Sequence, residues 1–192
     1  MPQISCKNEI IAAALQTLHL QGYNATSVQD ITAAANVPKG SFYNHFASKE
    51  ALAAVVLEEY WQGIQGRLAM LKDKSIAPLT RLKRYFSALR DSGRAREFHS
   101  GCLMGNMAAE VAAQSKPLRE QLTATWTAWS RALEACIAEA QADGSLRKDL
   151  SAATLASFLL NSWEGAVLRA KLDRNSAALD TFAKVTFTSL QA

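Results

Sequence analysis

The chain has 192 residues, 49% of them apolar and only 9 of them Gly, which describes a globular, strongly helical protein of one domain or two small ones. No stretch approaches the roughly 18 apolar residues of a membrane span, and the opening MPQISCKNEI lacks the apolar core of a signal peptide, so a cytoplasmic protein with no membrane role is expected. The net charge of +4 hints at an anionic partner, but residues 1–50 balance Lys7, Lys39 and Lys49 against Glu9, Asp30 and Glu50, so any case for nucleic acid rests on pattern.

Helical spacing governs the chain almost throughout. Ile11, Ala14, Leu15 and Leu18 share one face of a first helix, which Gly22 stops. Ser27 caps a second helix, Asp30 completes a capping-box pair, and Asn36, tolerant of left-handed backbone, ends it. Pro38 opens a short third helix with Phe42 and Phe46 on one side. Ser48 caps a fourth at about residues 49–73, whose Leu57, Trp61, Ile64, Leu68 and Leu71 step 4, 3, 4, 3 as a buried stripe does.

The run Lys72-Asp73-Lys74-Ser75 reads as a linker. Further helices are expected at about 78–91, 101–114, 117–142, 151–172 and 176–190, with breaks at Ser92-Gly93 and Gly144-Ser145. The expected fold is all-α with about nine helices. Residues 1–50 form a three-helix domain, joined by the long fourth helix to a larger helical domain over 51–192.

Two short helices joined by a tight turn at residues 35–38 describe a helix-turn-helix, a unit whose second helix enters the major groove of duplex DNA. The residue types suit that task. Lys39 reaches a phosphate or guanine acceptors, and Ser41 a base edge or a phosphate. Gly40 allows close approach of the backbone, while Tyr43, Asn44 and His45 grip phosphates. Across the turn, Thr26 and Ser27 offer hydroxyls and backbone N–H groups, and Lys49 adds a cation.

The run TSVQDITAAANVPKGSFYNHFASKEAL, residues 26–52, closely resembles the DNA-binding signature of the TetR family of bacterial repressors. It departs from that pattern at Asn36, where Gly is usual, and at Pro38, where Ser is commoner and would supply a phosphate-bonding hydroxyl. The resemblance implies a homodimer on a palindromic operator in double-stranded DNA. The last two long helices would pair with their counterparts, through a set drawn from Leu155, Phe158, Leu159, Trp163, Ala166, Val167, Leu179, Phe182, Val185, Phe187 and Leu190. Some of these must be internal core, and spacing does not divide them. Ser157, Ser162 and Gly165 would let helices approach closely.

The resemblance also implies a small-molecule or electrophile effector enclosed by the middle helices. Candidate lining residues are Tyr85, Phe86, Leu89, Phe98, Met104, Met107, Trp126, Trp129 and Trp163, each of which reads equally as plain core. Glu164 and Lys171 are polar candidates.

Cys102 is expected in the first turn of a helix, where the helix dipole together with His99, Arg94 and Arg96 would lower its thiol pKa. A small buried residue against Met104 and Met107 fits the same sequence. The segments GCLMGN and SWEGAVLRAK also look like the branch holding the N-ethylmaleimide-responsive and acrylate-responsive repressors. That similarity implies an electrophile or oxidant sensor at Cys102, with a reversibly bound, non-electrophilic ligand as the alternative.

A thiol enzyme built on Cys102 and His99 is disfavoured. No nucleophile elbow, H-E-x-x-H or Gly-rich phosphate loop accompanies them. The three cysteines are too few and too scattered for a disulfide framework or a four-ligand zinc site, so no metal and no cofactor are expected.

Overall fold

The computed structural model describes residues 6–191. Among them run nine α-helices and no strand: α1 (Cys6–Gln21), α2 (Val28–Ala34), α3 (Lys39–Tyr43), α4 (Lys49–Leu68), α5 (Pro78–Arg94), α6 (Leu103–Val111), α7 (Lys116–Ala142), α8 (Ala152–Asp173) and α9 (Ala177–Ser189). A 3-10 turn, Ala69–Lys72, follows α4. The all-helical expectation holds. Among the described residues, no helix is long and apolar enough to cross a membrane.

The chain divides into two compact units, and the divisions fall inside α4, just before α6 and inside α7. The first unit takes the described residues up to Gln62 together with Cys102–Thr123. The second takes Gly63–Gly101 and everything described from Ala124 onward. The expected boundary at residue 50 differs from this grouping, because α6 and the start of α7 pack with the N-terminal helices. In the first unit, Gln121 Nε2 donates to the Ala54 carbonyl at 2.9 Å, and the Ser115 hydroxyl, which caps α7 through the Leu118 amide, meets Glu50.

Local signals set the first helices. Ser27 and Asp30 form the reciprocal capping box at the start of α2. Asn36 stands at φ 54° and closes that helix. Pro38 is the N-cap of α3, one residue ahead of its first turn. Ser48 accepts the Ala51 amide at 3.0 Å. The whole 4-3-4-3 stripe of α4 and its 3-10 extension is buried.

In the second unit, Phe86 is the hub of an aromatic core. Its ring lies 5.2 Å from Trp163 and 5.1 Å from Phe182, with Tyr85 and Phe187 at its edges. Arg81 is fully buried. It donates to the Leu71 carbonyl and to Glu139, which also meets Lys74, so α5, α7 and the 3-10 turn are clasped by charge.

The expected break at Ser92-Gly93 is absent, and α5 continues to Arg94. The chain reverses only at Glu97 and Phe98, both left-handed. Phe98 folds back to donate its amide to the Gly93 carbonyl at 2.9 Å, and its ring lies where a Cβ at 93 would be crowded at 3.2 Å. Gly93 therefore serves as a seat for that ring within a continuous helix.

Candidate functional site

The reading surface starts from what is buried beneath it. Phe42 and Phe46 are buried in the first unit, their rings tilted against each other at 5.6 Å, in a core that also holds Ile10, Leu18, Ile31 and Leu52. Burying Phe42 from the five-residue α3, and Phe46 three residues beyond its end, fixes the roll of that segment, because the remaining positions must then point outward. Lys39, Gly40, Tyr43, Asn44 and His45 are exposed and Ser41 is half-buried. Tyr43 is 59% exposed although it touches Phe42 edge-on at 5.1 Å, so its ring is braced while its hydroxyl faces solvent. A Cβ at Gly40 would meet nothing within 4 Å, so nothing inside the protein demands glycine there.

Three other candidates are employed internally. Thr26 is buried, and its hydroxyl donates to the Gly22 carbonyl at 2.7 Å. Ser27 donates its hydroxyl and its amide to Asp30, which holds that carboxyl below the usual aspartate range. Lys49, expected as a free cation, instead directs its ammonium to the carbonyls of Tyr23 and Thr26 at 2.8 and 3.0 Å, above the Tyr23 ring. Sequence spacing alone does not reveal this. The carbonyls Lys49 meets lie more than twenty residues upstream.

Residues 10–56 match the family described as bacterial regulatory proteins, tetR family, and residues 78–186 match a tetracyclin repressor-like C-terminal domain. The chain belongs to the TetR family. It is 40% identical over 191 residues to the HTH-type transcriptional repressor DhaR of Mycobacterium sp. (strain GP1), a span covering 99% of this chain and 94% of that one. The transcriptional regulator AcuR of Cereibacter sphaeroides is 37% identical over 177 residues, 91% of this chain and 80% of its own. A crystal structure of regulatory protein TetR from Rhodobacter sphaeroides superposes with a TM-score of 0.92 at 33% identity, covering 96% and 98% of the two chains. This TetR-family protein is a DNA-binding transcriptional regulator of the helix-turn-helix type, as residues 26–52 imply, and not an enzyme.

The candidate sensing residues divide between the two units. Cys102, Met104 and Met107 are buried in the first unit, and Phe86, Trp126, Trp129 and Trp163 belong to the second. Phe86 and Trp163 are joined in the aromatic core, while Trp126 and Trp129 pair at 6.4 Å. Trp129 is buried, and its Nε1–H has no hydrogen-bond partner among the described residues. Tyr85 is core, and Leu89 and Phe98 are half-buried.

Cys102 is the N-cap of α6 and not a first-turn residue. It is 8% exposed, and the Tyr60 hydroxyl lies 3.8 Å from its sulfur. His99 is exposed and faces Glu97 at 3.7 Å. Arg94 pairs with Asp91, and Arg96 donates to Ser92. Cys136 is buried beside the Pro78 carbonyl, and burial pushes its thiol up to about 11.

The structure also divides the apolar residues of α8 and α9. Leu155, Leu159, Trp163, Leu179, Phe182, Phe187 and Leu190 are core, whereas Phe158 and Val185 are exposed. Leu168 and Leu172, outside the set expected from the sequence, are the most exposed large apolar side chains at 68% and 74%. Together Phe158, Asn161, Gly165, Leu168 and Leu172 step 3, 4, 3, 4 along one outer face of α8. Beside them, apolar hollows of about 270 and 400 Å³ run between α8 and α9, lined by Phe158 and Val185.

Proposed function

We propose that this chain is an operator-binding repressor that works as a homodimer and is released by an effector acting in the larger domain. Residues 1–50 read DNA, and residues 51–192 carry sensing and dimerisation. The single observation that carries this reading is the outward row of exposed Lys39, Gly40, Tyr43, Asn44 and His45 with half-buried Ser41, beside the buried Phe42–Phe46 pair. It offers cation, hydroxyl, amide and imidazole groups on one rigid face, the chemistry that phosphates and base edges accept. Thr26, Ser27 and Lys49 support the pose of that face. The repressor DhaR, similar over nearly the whole chain, supports repression as the outcome.

A second copy is needed because a two-fold operator presents two half-sites. The outer face of α8 fits that requirement, since a 3-4 apolar stripe on a solvent-facing helix is the pattern of a helix pair. A Cβ at Gly165 meets nothing within 4 Å in this protomer, which leaves that point of the stripe open to close approach.

For the effector, Cys102 supports an electrophile. A quinone would take the sulfur lone pair into a new S–C bond, and the thiol proton would end on the ring oxygen. The strain of an adduct beside Tyr60 would then favour the conformation that does not bind DNA, within a coupling of about 1–3 kcal/mol. A reversibly bound ligand is supported by Trp129, whose unpartnered Nε1–H suits a ligand acceptor oxygen.

The test is fluorescence anisotropy with a duplex that the wild-type protein selects from a randomised pool. Lys39→Ala combined with Tyr43→Ala should abolish the preference for that duplex, and an unchanged preference rejects the DNA reading. Quinone should release wild type and spare Cys102→Ser. Equal release of both removes the thiol route and leaves the ligand at Trp129.

A further inference from the structure

The turn between α1 and α2 is held from two sides within the first unit. Glu110, near the end of α6, accepts the Asn24 amide at 2.7 Å. Its carboxylate lies against the bare Cα of Gly22, itself at φ 92°, and any side chain at 22 would overlap it. From α4, Lys49 donates to the Tyr23 and Thr26 carbonyls and stands 4.1 Å from the Tyr23 ring centroid. Burial pulls the Lys49 ammonium below its ordinary value, and the Glu110 charge pulls it back. Thr26 closes the turn on Gly22, and the next residue, Ser27, is the N-cap of α2. The start of the helix-turn-helix is therefore set by side chains from two helices outside it.

We infer that Glu110 is a positioning residue for DNA binding: its carboxylate fixes the α1–α2 turn, and with it the pose of α2 and α3. The inference rests on α3 reading DNA. It also gives α6 a direct grip on the reading head. At the other end of that nine-residue helix, Cys102 meets Tyr60, whose ring stands edge-on to His19 of α1 at 5.4 Å. A shift of α6 by the length of one hydrogen bond would free the Asn24 amide and loosen the turn.

Reach, and not charge, is what the Asn24 contact requires, which separates three variants. Glu110→Gln keeps an acceptor in place, Glu110→Asp withdraws it by one methylene, and Glu110→Ala removes it. With the duplex selected by wild type as probe, the Gln variant should bind within about twofold of wild type. The Asp and Ala variants should bind about tenfold more weakly, the upper end for the loss of one ordinary hydrogen bond. Their melting midpoints should match that of the Gln variant, and Asn24 amide exchange should quicken in those two alone. Lys39→Ala, as control, should weaken binding and leave Asn24 exchange unchanged. Tight binding by Asp and Ala, or a loss that tracks a lowered midpoint, overturns the inference. If Ala does not fold, Asp against Gln decides. A failure of the DNA reading looks different, because Lys39→Ala would then bind as wild type does. A wild type that selects no duplex brings both readings down.

Discussion

The reading head and the outer face of α8 present opposite surfaces built by one rule. On α3 and just past its end, the buried rings of Phe42 and Phe46 force polar side chains outward; on α8, a buried row of Leu155, Leu159 and Trp163 leaves Phe158, Leu168 and Leu172 outside. Both helices are anchored by apolar residues, yet one shows solvent groups that satisfy phosphates and the other shows groups that water does not solvate well. What a helix offers a partner is decided by the residues its core does not need. The head is specified by short-range chemistry, whereas the α8 face leaves apolar surface open that the proposed dimer would cover.

Four variants put this contrast to the test. The largest effect is expected at Phe42, where Phe42→Ala removes the ring that sets the roll of α3. Chemical denaturation should show a loss of about 3–5 kcal/mol; a loss under about 1 kcal/mol would mean the ring is not the anchor. Next is the double change Leu168→Glu with Leu172→Glu. Two carboxylates buried in a helix pair each cost more than an unpaired neutral polar group, itself about 1–3 kcal/mol, so sedimentation should show monomer at concentrations where wild type is a dimer. Unchanged association mass would move the interface off this face. A smaller effect is expected for Lys39→Ala on the salt dependence of binding. If the Lys39 ammonium neutralises one phosphate, the slope of log affinity against log salt should become shallower by about one without it. An unchanged slope with altered sequence preference would assign Lys39 to a base edge instead.

The smallest effect concerns the capping box. Ser27→Ala should lower the melting midpoint by only a few degrees, measured by calorimetry near neutral pH. Because Ser27 holds the Asp30 carboxyl below its ordinary value, the contribution is complete above the ordinary aspartate range and fades as pH falls through the lowered value. Wild type and Ser27→Ala should therefore converge on acidification. A gap that persists or widens in acid would mean the pair is not acting through the ionised carboxylate.

Much of this was legible in local pattern. Ser27 with Asp30, Asn36, Ser48 and the stripe from Leu57 to Leu71 each carry their signal within a few residues, and each stands where spacing puts it. Most of the misses share a physical origin in contacts distant along the chain, though one turns on a ring only five residues away. Ser92-Gly93 looks like a helix end until the Phe98 ring that needs a bare Cα is seen folding back on it. Lys49 looks like a surface cation because the carbonyls it meets lie in the α1–α2 turn. Leu168 and Leu172 have the same periodicity as core, and only the placement of α9 reveals which side of α8 is covered. The grouping of α6 with the head leaves no trace in composition, since Glu110 and Asn24 are separated by 86 residues.

The clasp at Arg81 constrains how this chain can change over generations. A guanidinium does not shed its proton, so a lineage that replaces Glu139 alone keeps a stranded cation at the centre of the second unit. Exchange of both for well-packed apolar side chains removes that cost and can even raise stability. The two positions are thus expected to drift as a pair, with sequences that carry only one of them rare.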